Sequence, residues 1–174
     1  NILKKIKYKI LNNYFISNNS KAEHEKNARK LEEVILEKLY LFLNDFHSTN
    51  YSKRFWRILL GHWLRRYTNL IYNRVKTLEN AFSLYNISSY TSYNEKNYSL
   101  STNNTRDLIF ASDDPVWNNI IYFKLIKKNK NIKINFKNIE NPNFSFQIKN
   151  TQISFKKKLF FFVYDIYSYL TNLF

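Results

Sequence analysis

Apolar side chains recur at every third or fourth position between residues 21 and 47, which places them on one face of an α-helix. Ser20 and Glu23, at the start of this segment, match a capping box, in which each side chain bonds the other residue's backbone N–H. Two adjacent glutamates, Glu32 and Glu33, fall off the apolar face, and we interpret them as part of a solvated surface. The pattern predicts a helix over about 21–47. Its apolar positions are Leu31, Val34, Ile35, Leu39, Phe42 and Phe46.

A second helix is predicted over about 52–82, with Ser52 as its N-cap. Two apolar rows run along it, so we expect this helix to be largely buried. Gly61, the only glycine of the chain, costs about 1 kcal/mol relative to alanine inside a helix. A bend, or the close approach of another backbone or of a ligand, would explain it. The apolar positions are Trp56, Leu60, Trp63, Tyr67 and Leu70 in the first row and Ile58, Leu59, Leu64 and Ile71 in the second.

Three further segments have patterns that allow more than one structure. Residues 83–104 are rich in Ser, Asn and Tyr and are predicted to form a variable loop, in which 88–93 are either loop or a short strand. Residues 131–150 alternate polar with apolar side chains, which indicates either a hairpin around 141–143 or an extended segment. A basic and aromatic stretch at the end of the chain predicts a last helix over about 155–172.

The remaining helix is predicted over about 113–129. Ser112 or Asp113 is expected to cap it, and Pro115 falls in its first turn, where a missing backbone N–H does no harm. Its inner face is predicted to hold Trp117, Ile120, Ile121, Lys124 and Leu125. Taken together, the patterns predict a mainly α fold with a few short strands. We expect one partial domain over 1–174, because a translated chain begins with Met and this sequence begins with Asn.

Composition excludes several kinds of chemistry. The chain has no cysteine, which rules out a disulfide framework, a thiolate metal site and a cysteine nucleophile. With one glycine, it can form no glycine-rich phosphate loop. Its three histidines have no second ligand at a spacing typical of metal sites, so no metal is expected.

The formal net charge is +15, from 28 Lys and Arg against 13 Asp and Glu. Such a charge attracts phosphates and anionic lipid. It is also what an A/T-rich genome produces by codon composition alone, and both origins stay open. Lysines that alternate with aromatic residues between Lys124 and Lys158 are typical of surfaces that bind single-stranded nucleic acid or a membrane. An RNA-binding module and a peripheral membrane protein are therefore alternative hypotheses.

The candidate binding residues lie on the second predicted helix. Arg57 and Gly61 are four positions apart and point the same way, with His62 and Arg65 beside them. A bare glycine next to the planar fork of an arginine would let a phosphate or carboxylate approach the backbone. The competing interpretation is structural: the two tryptophans are core, and the glycine relieves crowding between helices. No catalytic residue is assigned.

Two stretches of the chain are similar to segments of a known family. Residues 43–74, LNDFHSTNYSKRFWRILLGHWLRRYTNLIYNR, resemble the pattern LNxxHxxxxSxRYWRILLGPWLxxFxxxLYDR, and 114–126, DPVWNNIIYFKLI, resemble DxWNxxIYxKIL. That family comprises large transferases from bacterial surface-polysaccharide (O-antigen and capsule) gene clusters. The resemblance covers roughly residues 23–128. The matching positions we take as its structural motif are Trp56, Trp63, Tyr72, Arg74, Trp117, Asn118 and Tyr122.

The resemblance implies a two-lobed, Rossmann-like glycosyltransferase, of which this chain is similar to an interior fragment of the amino-terminal lobe. It implies a nucleotide-sugar donor, a glycan or lipid-linked acceptor and a carboxyl-terminal lobe as partner, but no cofactor within this chain. It also implies a cytoplasmic enzyme, free or at the inner face of the plasma membrane. His62 stands where the family has Pro, so the helix is expected to run straight through this position.

Overall fold

The computed structural model describes residues 9–11, 18–94, 100–102, 104–129 and 134–139. Its elements are α1 (Asn18–His47), α2 (Lys53–Leu84), β1 (Ser89–Tyr93), α3 (Thr105–Asp113), α4 (Pro115–Lys128) and β2 (Asn135–Ile139). Over these residues the fold is mainly helical with two short strands, which confirms the predicted class. The predicted hairpin turn at 141–143 and the predicted helix at 155–172 lie outside the described residues.

A short connection joins α1 to α2 as an antiparallel pair. Ser48 adopts a left-handed conformation, with φ of 52°, directly after α1. A residue in this conformation ends a helix by turning the next backbone N–H groups back onto its last carbonyls. The N–H of Thr49 accordingly donates to the carbonyl of Asn44 at 2.8 Å. Ser52 then caps α2, as predicted, by accepting from the N–H of Phe55 at 3.2 Å.

Helix α1 differs from its prediction in two ways. It begins at Asn18, so Ser20 lies inside the helix and not at its cap. Glu32, expected in water, is only 3% exposed, whereas Phe46 of the predicted apolar face is 45% exposed. The reason is that α2 places an arginine against Glu32, so the contact between the helices is partly ionic. The buried row of α1 is His24, Ala28, Glu32, Ile35, Leu36, Leu39 and Leu43.

Helix α2 runs continuously to Leu84, two residues beyond its predicted end, and passes through Gly61 and His62 without interruption. Its buried residues are Trp56 and Tyr67 from the first predicted row, Leu64 and Ile71 from the second, and Thr68, which belongs to neither. The prediction of a largely buried helix is wrong in its first half. There, Ile58 is 78% exposed and Leu59 is 63% exposed.

Helix α3 was not predicted as a separate element. It occupies the nine residues before Asp114, with Asn104 as its N-cap. Ser112 and Asp113 therefore end α3, and the cap of α4 is Asp114, whose Oδ1 accepts from the N–H of Trp117 at 2.7 Å. The predicted inner face of α4 is confirmed at Trp117, Ile120 and Ile121, which are fully buried, whereas Lys124 and Leu125 are half-buried.

The two strands form a parallel pair, with Ser89 opposite Asn135 and Tyr93 opposite Ile139. The short strand considered at 88–93 therefore exists as β1, and its partner β2 lies in the segment that was predicted as either a hairpin or extended. Parallel neighbours require a crossover connection, and α3 and α4 lie between the two strands in sequence. Helix α4 packs on β1. There, the side-chain amide of Asn119 bonds the carbonyl of Thr91 and the N–H of Tyr93 at 3.0 and 2.9 Å.

Candidate functional site

The two motif stretches meet at Arg74 of α2. Its Nε donates to Oδ1 of Asn118 at 2.9 Å, and its Nη2 donates to the carbonyl of Ser112 at 3.2 Å. Asn118 Nδ2 donates to the same carbonyl at 2.7 Å. One arginine thus joins α2, the end of α3 and the first turns of α4. These motif positions hold the fold together at the junction of three helices.

A second junction lies at the turn between α1 and α2. Asn44 Oδ1 accepts from the indole Nε1 of Trp56 at 2.9 Å and from the N–H of Tyr51 at 3.0 Å. Its Nδ2 donates to the carbonyl of Tyr51 at 2.8 Å, and the His47 ring stacks on Trp56 at 6.0 Å. The family-like pattern that contains Asn44, His47 and Trp56 therefore fixes the geometry of this turn.

The other aromatic motif positions are also packed. Trp63 stacks on Tyr67 with ring centroids 5.1 Å apart, and both contribute to the core. Tyr72 contacts the ring of His24 on α1 at 4.7 Å. Tyr122 is half-buried on α4. These contacts agree with the structural interpretation of the tryptophan-rich helix.

Arg57 points toward α1. Both of its terminal nitrogens donate to the carboxylate of Glu33 at 2.5 Å, and Lys53 contacts Glu33 as well at 3.8 Å. The hydrogen bond from Arg57 holds the pKa of the Glu33 carboxyl below its ordinary value and raises the pKa of Arg57. Such a half-exposed pair contributes between about 0 and 1 kcal/mol to stability. The guanidinium of Arg57 is therefore already paired with a carboxylate. The binding role of Arg57 stays a prediction.

No close contact requires a glycine at position 61. A methyl group added at this position would meet, besides its own helix backbone, only Cγ of Arg57, at the ordinary contact distance of 3.6 Å. The backbone approach expected at this glycine is therefore absent among the described residues.

Arg65 has two environments. Its Nε and Nη2 donate to Glu32 at 3.1 and 3.5 Å, which supplies the partner that a buried carboxylate needs. The arginine side chain is itself 57% exposed. Its guanidinium therefore bridges the interface of α1 and α2 and the outer surface of α2.

The outer surface of α2 and the facing side of α3 form an open pocket of about 420 Å³. Three cationic or polar side chains of α2 line this pocket. Arg66 Nε donates to Nε2 of His62 at 3.3 Å, and Arg65 is the third. In the described part of the chain, no carboxylate contacts Arg66. The lining residues are His62, Arg65, Arg66, Asn69, Leu70, Leu108, Ile109 and Ser112.

Of the four predicted binding residues, the pocket contains His62 and Arg65 but not Arg57 or Gly61. Sequence reasoning missed Arg66 and Asn69. The spacing of His62, Arg66 and Asn69, four and then three positions, was a sufficient signal for a shared face. The opposite wall could not be found in this way, because α3 itself was not predicted.

A family model for the LIC12162 family transferases matches residues 1–173. The chain belongs to this family. No curated protein matches the chain, and no solved structure does. The match extends well beyond residues 23–128, where the two motifs lie. It makes the protein a member of a transferase family.

In this LIC12162 family transferase, the motif residues and the pocket have separate roles. The motif positions on α2 and α4 join the helices, whereas the pocket presents positive charge toward solvent. Within the described ranges, no group of His, Asp or Glu side chains could hold a metal ion. Among the same residues, no helix is long and apolar enough to cross a bilayer.

Proposed function

We propose that the protein is part of a glycosyltransferase that moves a sugar from a nucleotide sugar to a glycan or lipid-linked acceptor. In this proposal it acts in the assembly of a bacterial surface polysaccharide. The transferase class rests on family membership, and the sugar chemistry rests on the resemblance of the two motif stretches. Family membership also favours this function over an RNA-binding module.

The observation that supports the proposal most is the cationic pocket between α2 and α3. Activated sugars carry a diphosphate or phosphate, which arginine forks bind with paired, charge-assisted hydrogen bonds. Arg66 has no acidic partner among the described residues, and Arg65 is partly exposed beside it. We therefore assign the pocket to a phosphate-bearing or acidic group of a substrate. In a two-lobed enzyme, this surface would face the cleft between the lobes.

Arg66→Gln in the full-length enzyme tests this assignment. Transfer is measured as release of nucleoside diphosphate or monophosphate from a panel of UDP, GDP and CMP sugars in the presence of acceptor. We expect kcat/KM to fall at least about ten-fold, because a charged hydrogen bond to substrate contributes about 1.5–3 kcal/mol. The melting temperature should not change, since Arg66 is exposed.

Lys30→Gln is the matched control, because it also removes one exposed positive charge. Lys30 is two residues from Glu32 and so lies about 200° around α1 from the contact with α2. Equal transfer by Arg66→Gln and Lys30→Gln would reject the pocket as a substrate site. Arg57→Ala extends the test: a specific loss of transfer with an intact fold would add Arg57 to the site.

A further inference from the structure

The first half of α2 exposes a row of large apolar side chains. Ile58 is 78% exposed, Leu59 is 63% exposed and Phe55 is 40% exposed. Tyr51, directly before the helix, stacks on Phe55 with ring centroids 4.2 Å apart. We call the surface formed by the side chains of Tyr51, Phe55, Ile58 and Leu59 the apolar patch. Single exposed apolar residues are common, but a continuous patch of this kind marks an interaction surface.

The patch faces away from the protein. At 100° per residue, Phe55 lies about 180° around the helix from the buried Leu64, and Ile58 and Leu59 lie about 120–140° from it. The side of α2 that carries Leu64 packs on α1 and the core. From His62 onward the outer side of α2 has a neighbour, because α3 forms the opposite wall of the pocket. The outer face before His62 has no such cover among the described residues.

Positive charge surrounds the patch. From Lys53 to Leu78 the sequence of α2 contains no Asp or Glu. Carboxylates of α1 contact this helix at Lys53 and Arg57, on the side that faces α1, and at Arg65, which lies at the border of the outer surface. Arg54 and Arg66, which share the outer face with Ile58, have no acidic partner in the described part of the chain. The surface therefore combines exposed apolar side chains with unneutralised cations.

We propose that this face of α2 docks on a lipid bilayer that contains anionic lipid. The chemistry matches an interfacial helix, whose apolar side chains enter the boundary between headgroups and acyl chains while its cations contact lipid phosphates. A protein partner would need an apolar groove lined with acid, and nothing in the described structure offers one. The inference goes beyond the proposed function, and the exposed apolar side chains that carry it lie outside the pocket, although Arg66 belongs to both surfaces.

The test is flotation of the protein with vesicles. One set contains phosphatidylglycerol and phosphatidylcholine, and the other contains phosphatidylcholine alone. We expect the wild type to float with the first set at physiological salt and to stay largely unbound with the second. The double variant Ile58→Glu/Leu59→Glu should lose at least about ten-fold in partitioning, because it removes the two most exposed apolar side chains of the patch.

Leu41→Glu is the matched control. Leu41 is 56% exposed and lies two residues, or about 200°, around α1 from the buried Leu39. The Leu41→Glu variant should bind vesicles like the wild type. Circular dichroism and thermal melting should show that all variants fold alike, since the substituted positions are exposed.

Four outcomes would overturn the proposal. The first two are that the wild type binds neither vesicle type and that it binds both types equally. The other two are as follows. The Leu41 variant and the double variant lose the same amount, in which case only the overall charge of +15 drives binding. Light scattering shows a dimer that the double variant dissociates, in which case the patch belongs to a second copy of the chain.

Discussion

Helices α2 and α4 both carry a tryptophan-containing motif, yet the fold uses them differently. Helix α4 buries apolar side chains around much of its circumference, including Trp117, Ile120 and Phe123. Helix α2 buries one side and leaves Ile58 and Leu59 in water. The difference shows that apolar periodicity alone does not separate core from interaction surface. What separates them is whether other elements surround the helix.

Trp117→Ala should have the largest effect. The side chain is 0% exposed and its Nε1 donates to the carbonyl of Leu100 at 3.2 Å. Truncation leaves a cavity and an unpaired carbonyl, so we expect a loss of about 3–5 kcal/mol in the free energy of unfolding. Urea denaturation followed by circular dichroism measures it. A loss below about 1 kcal/mol would contradict the burial of Trp117 between α4 and the rest of the core.

Asn44→Ala should have the next largest effect. The side chain accepts from Trp56 and from the backbone of Tyr51, and both donors lose their partner on truncation. We expect a loss of about 1–3 kcal/mol, together with a change in tryptophan fluorescence. Asp45→Ala, at the exposed neighbouring position, serves as the control and should stay close to the wild type. Equal losses in the two variants would contradict the junction assigned to Asn44.

Gly61→Ala should stabilise the protein. The added methyl group meets only Arg57 Cγ, at 3.6 Å, and alanine is a better helix former than glycine by about 1 kcal/mol. Thermal and urea unfolding should therefore show a gain of about 0.5–1 kcal/mol. A destabilised variant would indicate a close neighbour at Gly61, as the sequence had suggested.

The pH dependence tied to His24 should be the smallest of the four effects. Burial lowers the pKa of this histidine from its ordinary value of 6.5, and Lys76 adds to the shift, while Glu25 opposes it. Below pH 6.5 the unfolded chain takes up a proton that the folded chain does not, so stability falls as the pH drops from 7 toward the folded pKa. His24→Phe should flatten this slope. A slope equal to that of the wild type would contradict the assignment.

Local patterns predicted most of the helices but few of the contacts between them. The stripes at 21–47, 52–82 and 113–129 each correspond to a helix, because a continuous apolar face is a local property. Helix α3 was missed because it is short and buries only Leu108 and Ala111 among its apolar side chains. A nine-residue segment with so few buried positions has no clear period.

The contacts depend on residues that are distant in sequence. Glu32 is buried because Arg65, 33 positions later, reaches it, and no local pattern contains that information. The alternation around 131–150 indicated a strand but not its parallel partner, β1, which lies more than 40 residues earlier. For the same reason, half of the polar side chains of α2 that line the pocket could be predicted, whereas the opposite wall, on α3, could not.

The most direct test of the pocket is nuclear magnetic resonance of the arginine side chains during titration with inorganic pyrophosphate. We expect the Nε signals of Arg65 and Arg66 and the ring signals of His62 to shift together and to saturate with one dissociation constant. The Nε signal of Arg54, outside the pocket, should stay in place. Shifts of equal size at Arg54 and Arg66, or no shift at any of them, would contradict a phosphate-binding pocket between α2 and α3.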